Sequence, residues 1–225
     1  MAKETHEELW TNVDAYIEDH LIRTEPALSE AIAASAAAEL PEIAVSPCQG
    51  KLLMLLAKMC GAKRILELGT LGGYSTIWLA RGLAPGGEVV TLESNPKHAE
   101  VARANIFRAG LAEVVEVRVG AALEILPRIQ AEPRGPFDLT FIDADKEHMA
   151  EYFGWAVRLS RPGSVIIADN VVRDGDVIDV ESTDGRVHGV RAFFEAARAE
   201  PRVTVTAIQT VGVKGYDGFA LALVK

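Results

Sequence analysis

One stretch narrows the folds open to this chain more than any other. It is the run Arg64-Ile65-Leu66-Glu67-Leu68 followed by Gly69-Thr70-Leu71-Gly72-Gly73-Tyr74-Ser75. It reads as a short apolar strand that enters a glycine turn and passes directly into a helix. Such a unit puts backbone N–H groups and the positive end of a helix at the tip of a parallel strand, where a ligand can be held. Glu67 is out of keeping with its strand, a carboxylate between Leu66 and Leu68 in the strand's last turn. The stretch predicts a candidate nucleotide-cofactor site.

The residues on either side alternate in the way a βα sheet requires. Upstream, residues 5–22 carry an apolar stripe (Leu9, Trp10, Val13, Tyr16, Ile17, Leu21) opposite an acidic face, and residues 27–40 are alanine-rich and helix-prone. These two predicted helices read as packing elements or an oligomer surface, with a lid as the other use. Ser46-Pro47-Cys48-Gln49 opens a third helix with a capping box, Gln49 reaching back to Ser46. Leu52, Leu53, Leu55, Leu56 and Met59 are its expected buried face, and Gly61 ends it.

Downstream, strands are expected over 88–92, 114–119, 137–142 and 165–168. Helices are expected over 96–110, 121–129, 147–160 and 187–199, with a polar loop at 172–186. The last two strands, 203–209 and 219–224, are joined by residues 211–218, too short for a crossover helix, and so predict an antiparallel hairpin. The whole is an α/β fold, a doubly wound and mainly parallel sheet with helices on both faces and one reversed strand. No repeat or linker marks a second domain. Residues 1–225 are therefore expected to form one domain, 1–40 as a helical cap or oligomer segment and 41–225 as the core.

Bulk properties exclude several classes. A chain of 225 residues with 49% hydrophobic and 24% charged residues can bury a large core. Its net charge of −9 gives no basic excess with which to neutralise phosphates, which argues against broad nucleic-acid binding. The first eight residues are polar and acidic, unlike a secretory signal, and no apolar run approaches the length of a membrane span. Cys48 and Cys60 lie 12 residues apart on one predicted helix, a spacing no disulfide can bridge. These features predict a reduced, cytoplasmic protein without membrane contact.

Three nucleotide motifs compete for residues 67–75. A P-loop needs Gly-Lys-Ser/Thr after its glycines, and Tyr74-Ser75 stand there instead. A dinucleotide fingerprint needs Gly-x-Gly-x-x-Gly, and Gly69-x-x-Gly72-Gly73 lacks the tight first turn. Glu93 ends the second strand 24 residues after Gly69, placed to accept both hydroxyls of an adenosine ribose. Taken alone, Glu93 is equally a solvated strand end. Glu67 discriminates, because a carboxylate beneath the turn repels a pyrophosphate and suits a cation. S-adenosylmethionine, with its sulfonium, its α-ammonium and no phosphate, fits that requirement.

A second constellation lies at two later strand tips, Ile142-Asp143-Ala144-Asp145-Lys146 and Ala168-Asp169-Asn170. Adjacent strands lie about 5 Å apart, so Asp143 and Asp169 converge if their strands pair. Two carboxylates that close repel unless one is protonated or a cation lies between them. With the Asn170 amide oxygen they make a hard oxygen set suited to Mg²⁺, and Asp145 is the other candidate ligand. Strand-end turn residues are the structural alternative for both aspartates. Lys146, beside such a cation, would give up its proton more readily and could serve as a base.

These three segments, in this order, resemble the cation-dependent class I O-methyltransferases, the group that includes caffeoyl-CoA and catechol O-methyltransferases, and most of all its bacterial members. The resemblance runs from about residue 42 to the C-terminus and includes Lys214-Gly215-Tyr216-Asp217-Gly218. It implies a Rossmann-like seven-stranded sheet, a homodimer, S-adenosylmethionine, and Mg²⁺ or another divalent cation such as Mn²⁺ or Ca²⁺. By position it implies Asp143, Asp169 and Asn170 as metal ligands and Lys146, with Asp143, in catalysis. Around the methyl donor it implies Val45, Glu67, Gly69, Tyr74, Ser75, Glu93, Ala121 and Asp143.

The chain departs from the plant enzymes where acceptor contacts belong. Val171-Val172-Arg173-Asp174-Gly175 lacks their aromatic residue, and His148, more a polar helix-face residue than a catalyst, stands where Asn is common. The expected activity is methyl transfer to a vicinal diol of the catechol type, a small-molecule acceptor. The alternatives are a tRNA hydroxyuridine O-methyltransferase, disfavoured by the acidic charge, and a non-catalytic nucleotide-binding protein, disfavoured by the intact Asp143, Lys146, Asp169 and Asn170.

Overall fold

In the computed structural model, residues 5–23 and 25–225 are described. Residues 1–4 of the polar N-terminal stretch, and Thr24, lie outside them. Seven strands form one sheet: β1 (Arg64–Leu68), β2 (Glu88–Glu93), β3 (Val115–Val119), β4 (Phe137–Ile142), β5 (Ser160–Asp169), β6 (Val203–Gly212) and β7 (Gly215–Val224). Their order is β3-β2-β1-β4-β5-β7-β6. β1 pairs in parallel with both β2 and β4, and β7 runs antiparallel between β5 and β6. The chain winds outward one way from β1 and then the other way from β4. The carboxyl ends of β1 and β4 therefore flank the switch point where doubly wound sheets bind ligands.

Side-chain alternation along the strands feeds a core on each face. Ile65 packs with Leu53, Ala57, Ile77, Leu79 and Ile106 on one face. These come from α3 (Pro47–Met59), α4 (Tyr74–Arg81) and α5 (Pro96–Arg108). Leu66 and Leu68 point the other way and pack with Leu126, Phe153 and Phe193. Those belong to α6 (Ala122–Gln130), α7 (Met149–Arg158) and α8 (Gly185–Ala199). Helices thus cover both faces, as the alternating pattern predicted. At the N-terminus, α1 (His6–Leu21) buries none of its residues, whereas α2 (Pro26–Ala37) buries Leu28 and Ala31. Among the described residues no helix is long and apolar enough to cross a membrane.

Several local expectations are corrected. Of its expected row of leucines α3 fully buries Leu53 alone. Its inward face is Gly50, Leu53 and Ala57, while Leu55 and Met59 are exposed. The small residues win because α4 lies close: a Cβ on Gly50 would strike the Trp78 ring. The capping box is also incomplete. Ser46 accepts from the Gln49 N–H at 3.2 Å, but the Gln49 side chain points elsewhere.

The helix predicted over 147–160 begins as a short 3₁₀ turn, Lys146–His148, before α7, and β5 starts at Ser160. Loop 172–186 contains a kinked 3₁₀ segment, Arg173–Ile178, and α8 starts within it at Gly185. The hairpin is longer than its apolar pattern suggested. Thr210↔Asp217, Val211↔Tyr216 and Gly212↔Gly215 continue the ladder to a tight turn at Val213 and Lys214.

Candidate active site

The glycine turn is built by what crowds it. Gly69 has φ +95, and a Cβ there would collide with the carbonyl of Asp143. Two backbone bonds fix this contact, Gly69 N–H to Leu92 O at 3.0 Å and Asp143 N–H to Leu68 O at 2.8 Å. Only glycine tolerates both the left-handed backbone and the neighbouring strand. The turn is therefore locked to the tips of both β2 and β4.

Glu93 closes the turn from the other side. Its Oε2 accepts from the N–H groups of Thr70 at 3.2 Å and Leu71 at 2.8 Å, and its Oε1 from Asn95 N–H at 2.8 Å. Glu67 behaves differently from its expected role facing a ligand. It has no exposed surface, and its oxygens are taken by the hydroxyls of Ser75 at 2.7 Å and Thr76 at 2.5 Å. Burial pushes its carboxyl up to about 7, against the lowering effect of those hydroxyls. Glu67 thus sits under the start of α4 and holds Ser75, one layer below the cavity.

At the second constellation, β4 and β5 pair in parallel with Ile142 opposite Ala168, which brings the following Asp143 and Asp169 side by side. Lys146 is buried and donates from Nζ to Asp143 Oδ1 at 2.7 Å. Asp169 is 6% exposed; its Oδ1 accepts from Asn170 N–H at 2.9 Å and its Oδ2 from Gln49 Nε2 at 2.7 Å. Burial first, and then the charge of Asp143, raise the Asp169 carboxyl to about 7; Lys146, Asn170 and Gln49 oppose the rise only in part. One lysine serves two converging carboxylates, and their repulsion, part of what raises Asp169, is what a cation between them would relieve. That donor chemistry, with the neighbouring Asn170 amide, fits a hard divalent cation. Asn170 has φ +59, a left-handed backbone tolerated better by Asn than by most residues.

Asp145, the other candidate ligand, is already occupied. Tyr152 donates its hydroxyl to Oδ1 at 2.5 Å, and His148 Nδ1 engages Oδ2. Burial raises the Asp145 carboxyl, but these two partners outweigh it and leave it below its ordinary value, while Asp145 raises the His148 imidazole.

All but one of the predicted residues share one cavity of about 1040 Å³. Val45, Gly69, Tyr74, Ser75, Glu93 and Ala121 line its turn side, and Asp143, Lys146, Asp169 and Asn170 its other side. Glu67 is the exception, for the reason just given. The volume is ample for two small molecules at once. The sequence did not reveal two further wall residues, Gln49 and Tyr152. The capping box accounts for Gln49 in the sequence, and Tyr152 falls among the apolar residues of its helix. Asp145, His148 and Tyr152 nevertheless have spacings of three and four that a helical start brings together.

Comparison with known proteins identifies the family. The model of the O-methyltransferase family matches residues 18–224. A catechol O-methyltransferase of Niastella koreensis is 55% identical over 97% of this chain and 99% of its own length. One of Mycobacterium tuberculosis is 56% identical over 95% and 96% of the two chains. The crystal structure of an O-methyltransferase from Bacillus cereus, in complex with SAH, superposes with TM-score 0.96 at 60% identity, covering 97% of this chain and 99% of that one. The glycine turn locked to β4, the paired aspartates beside a buried lysine and a family match spanning nearly the whole sequence lead to one conclusion: the chain belongs to the O-methyltransferase family.

Proposed function

We propose that the protein transfers a methyl group from S-adenosylmethionine to one hydroxyl of a catechol-type small molecule, with a divalent cation, Mg²⁺ foremost, held by Asp143, Asp169 and Asn170. The observation that carries the reading is the pair of converging carboxylates, with one lysine bound to Asp143, on the wall of the cavity that the glycine turn opens into. The names of the Niastella and Mycobacterium relatives support the acceptor class, and the complex of the Bacillus relative supports the donor.

The chain's residues divide the work. Glu93 receives the ribose hydroxyls with lone pairs left after its three amide contacts. Tyr74 and Ser75, at the first turn of α4, hold the methionine part of the donor, and Glu67 fixes the Ser75 hydroxyl. Val45 and Ala121 close the pocket around the adenosine. A divalent cation in the oxygen set supplies charge that makes a catechol hydroxyl easier to ionise near neutral pH. With a cation in the oxygen set Lys146 would release its ammonium proton to solvent, and the neutral Nζ, oriented by Asp143 Oδ1, would then take the hydroxyl proton. The remaining contribution is alignment of the phenolic oxygen with the sulfonium methyl.

Residues 41–225 act in this reading as the core, with the first two helices as a cap of a cytoplasmic homodimer. Exposed Leu9, Val13 and Tyr16 on α1 support the dimer.

The test is Asp169→Ala, with methyl transfer and donor binding measured side by side. Turnover that depends on Mg²⁺ should disappear while S-adenosylmethionine still binds. Retained turnover would sink the metal assignment.

A further inference from the structure

The cationic side chains on the cavity wall are not equivalent. Lys146 is held by Asp143 at 2.7 Å, and Arg186 by Asp184 at 2.6 Å. His148 is engaged by Asp145, and Lys214 donates to the Glu42 carbonyl at 3.2 Å. Arg173 differs. Among the described residues no acceptor lies within hydrogen-bond distance of its guanidinium, and its Nε is buried without a partner. The nearest carboxylate oxygen, Asp217 Oδ2, is 3.9 Å away, at the outer limit of an ion pair.

Asp217 is spent elsewhere. Its Oδ1 accepts from the N–H groups of Val172 at 3.0 Å, Arg173 at 3.0 Å and Gly218 at 2.9 Å. Those bonds fix the start of a turn in which Arg173 and then Asp174 take left-handed backbone, φ +57 and +56. Asp217 is thus a clamp for the loop and a poor partner for the Arg173 side chain. Backbone strain of this kind, maintained by specific contacts, is a cost that a structural loop has no need to carry. Arg173 lines the cavity that also holds Asp169 and Asn170, four and three residues upstream.

A guanidinium with no protein acceptor, partly buried on the wall of the cavity that also holds Asp169 and Asn170, suits a planar anion. We propose that Arg173 is the specificity residue for the acceptor, binding a carboxylate carried on the catechol ring or its side chain. The inference rests on the catechol methyl-transfer reading and narrows it: the preferred acceptors are dihydroxybenzoates or dihydroxycinnamates over neutral catechols. A carboxylate suits the site because two parallel N–H···O bonds match the fork.

The experiment compares 3,4-dihydroxybenzoate with its neutral isostere 3,4-dihydroxybenzamide in the wild type, Arg173→Gln and Arg173→Lys, with S-adenosylmethionine and Mg²⁺ fixed. The wild type should favour the benzoate in kcat/KM by about 10- to 100-fold, the worth of a charge-assisted bond or pair. Arg173→Gln should bring that ratio close to one, mainly through KM for the benzoate. Arg173→Lys should keep part of it, since the charge stays and the fork is lost. A wild type with no preference, or an Arg173→Gln variant that loses both acceptors equally, overturns the proposal and leaves Arg173 as a loop-packing residue.

If neither these acceptors nor any other catechol turns over, methyl transfer to catechols is wrong. Calorimetry with S-adenosylhomocysteine and Mg²⁺ present then decides Arg173 on its own. Benzoate binding that exceeds benzamide binding and is lost in Arg173→Gln supports the anion site, and equal binding overturns it. Should Arg173→Gln not fold, a reduced benzoate preference in Arg173→Lys supports the proposal and an unchanged one overturns it.

Discussion

Glu67 offers a test of the buried layer under the glycine turn that needs no substrate. Its carboxyl ordinarily titrates near 4.5 and is pushed up to about 7 by complete burial. The folded protein therefore holds a proton at Glu67 that the unfolded chain has already released. The sign follows: stability from this group is complete below about pH 4.5 and is lost as pH rises through about 7. At about 1.4 kcal/mol per pH unit over that interval, the loss approaches about 3 kcal/mol.

Glu67→Gln mimics the protonated form, and its amide can still pair with the Ser75 and Thr76 hydroxyls, which donate or accept. Urea unfolding of both proteins without ligands, at about pH 5 and about pH 8, isolates the effect from other titrating groups. The variant should gain on the wild type by about 2 to 3 kcal/mol between those pH values. Parallel pH profiles, or a gain at low pH, would refute the view that burial dominates the hydroxyl contacts at Glu67.

Three further outcomes are expected. Glu93→Gln should weaken S-adenosylmethionine binding by about tenfold or more in calorimetry, because the charge that strengthens its hydroxyl and amide bonds is removed. Gln49→Leu should weaken Mn²⁺ binding several-fold by electron paramagnetic resonance, since Asp169 Oδ2 loses the amide that orients it. Asp138 lies at the opposite edge of the sheet, accepting from Lys63 N–H at 2.7 Å, Arg64 N–H at 2.9 Å and the Arg161 guanidinium. Asp138→Ala should cost about 3 kcal/mol in urea unfolding and leave the metal and donor affinities of the folded protein unchanged.

The sequence carried the sheet because alternation of short apolar strands with amphipathic helices is a local pattern. Ile65 against Leu66 and Leu68 assigns the two faces before any coordinates are seen. The site was legible for a related reason: in a doubly wound sheet, residues just past parallel strands must meet at one edge, so Gly69, Glu93, Asp143 and Asp169 follow from strand ends alone. What stayed hidden depends on distance across the fold. Nothing within α3 says that Gln49 leaves its own cap for Asp169, 120 residues away. Likewise, Leu55 and Met59 have the look of core until the close approach of Trp78 to Gly50 turns the small-residue face inward. Glu67 lies at the expected height in its strand but faces a different neighbour, because its hydroxyl partners lie past the glycine turn, in the first turn of α4.

The most direct test of the proposed reaction is mass-spectrometric detection of product from 3,4-dihydroxybenzoate and S-adenosylmethionine with Mg²⁺, with excess EDTA, and with Mg²⁺ restored. A singly methylated product that forms with Mg²⁺, stops with EDTA and returns on repletion is expected from the oxygen set of Asp143, Asp169 and Asn170. Methylation at an undiminished rate in EDTA, or no methylation of this or any other catechol with Mg²⁺ present, would contradict it.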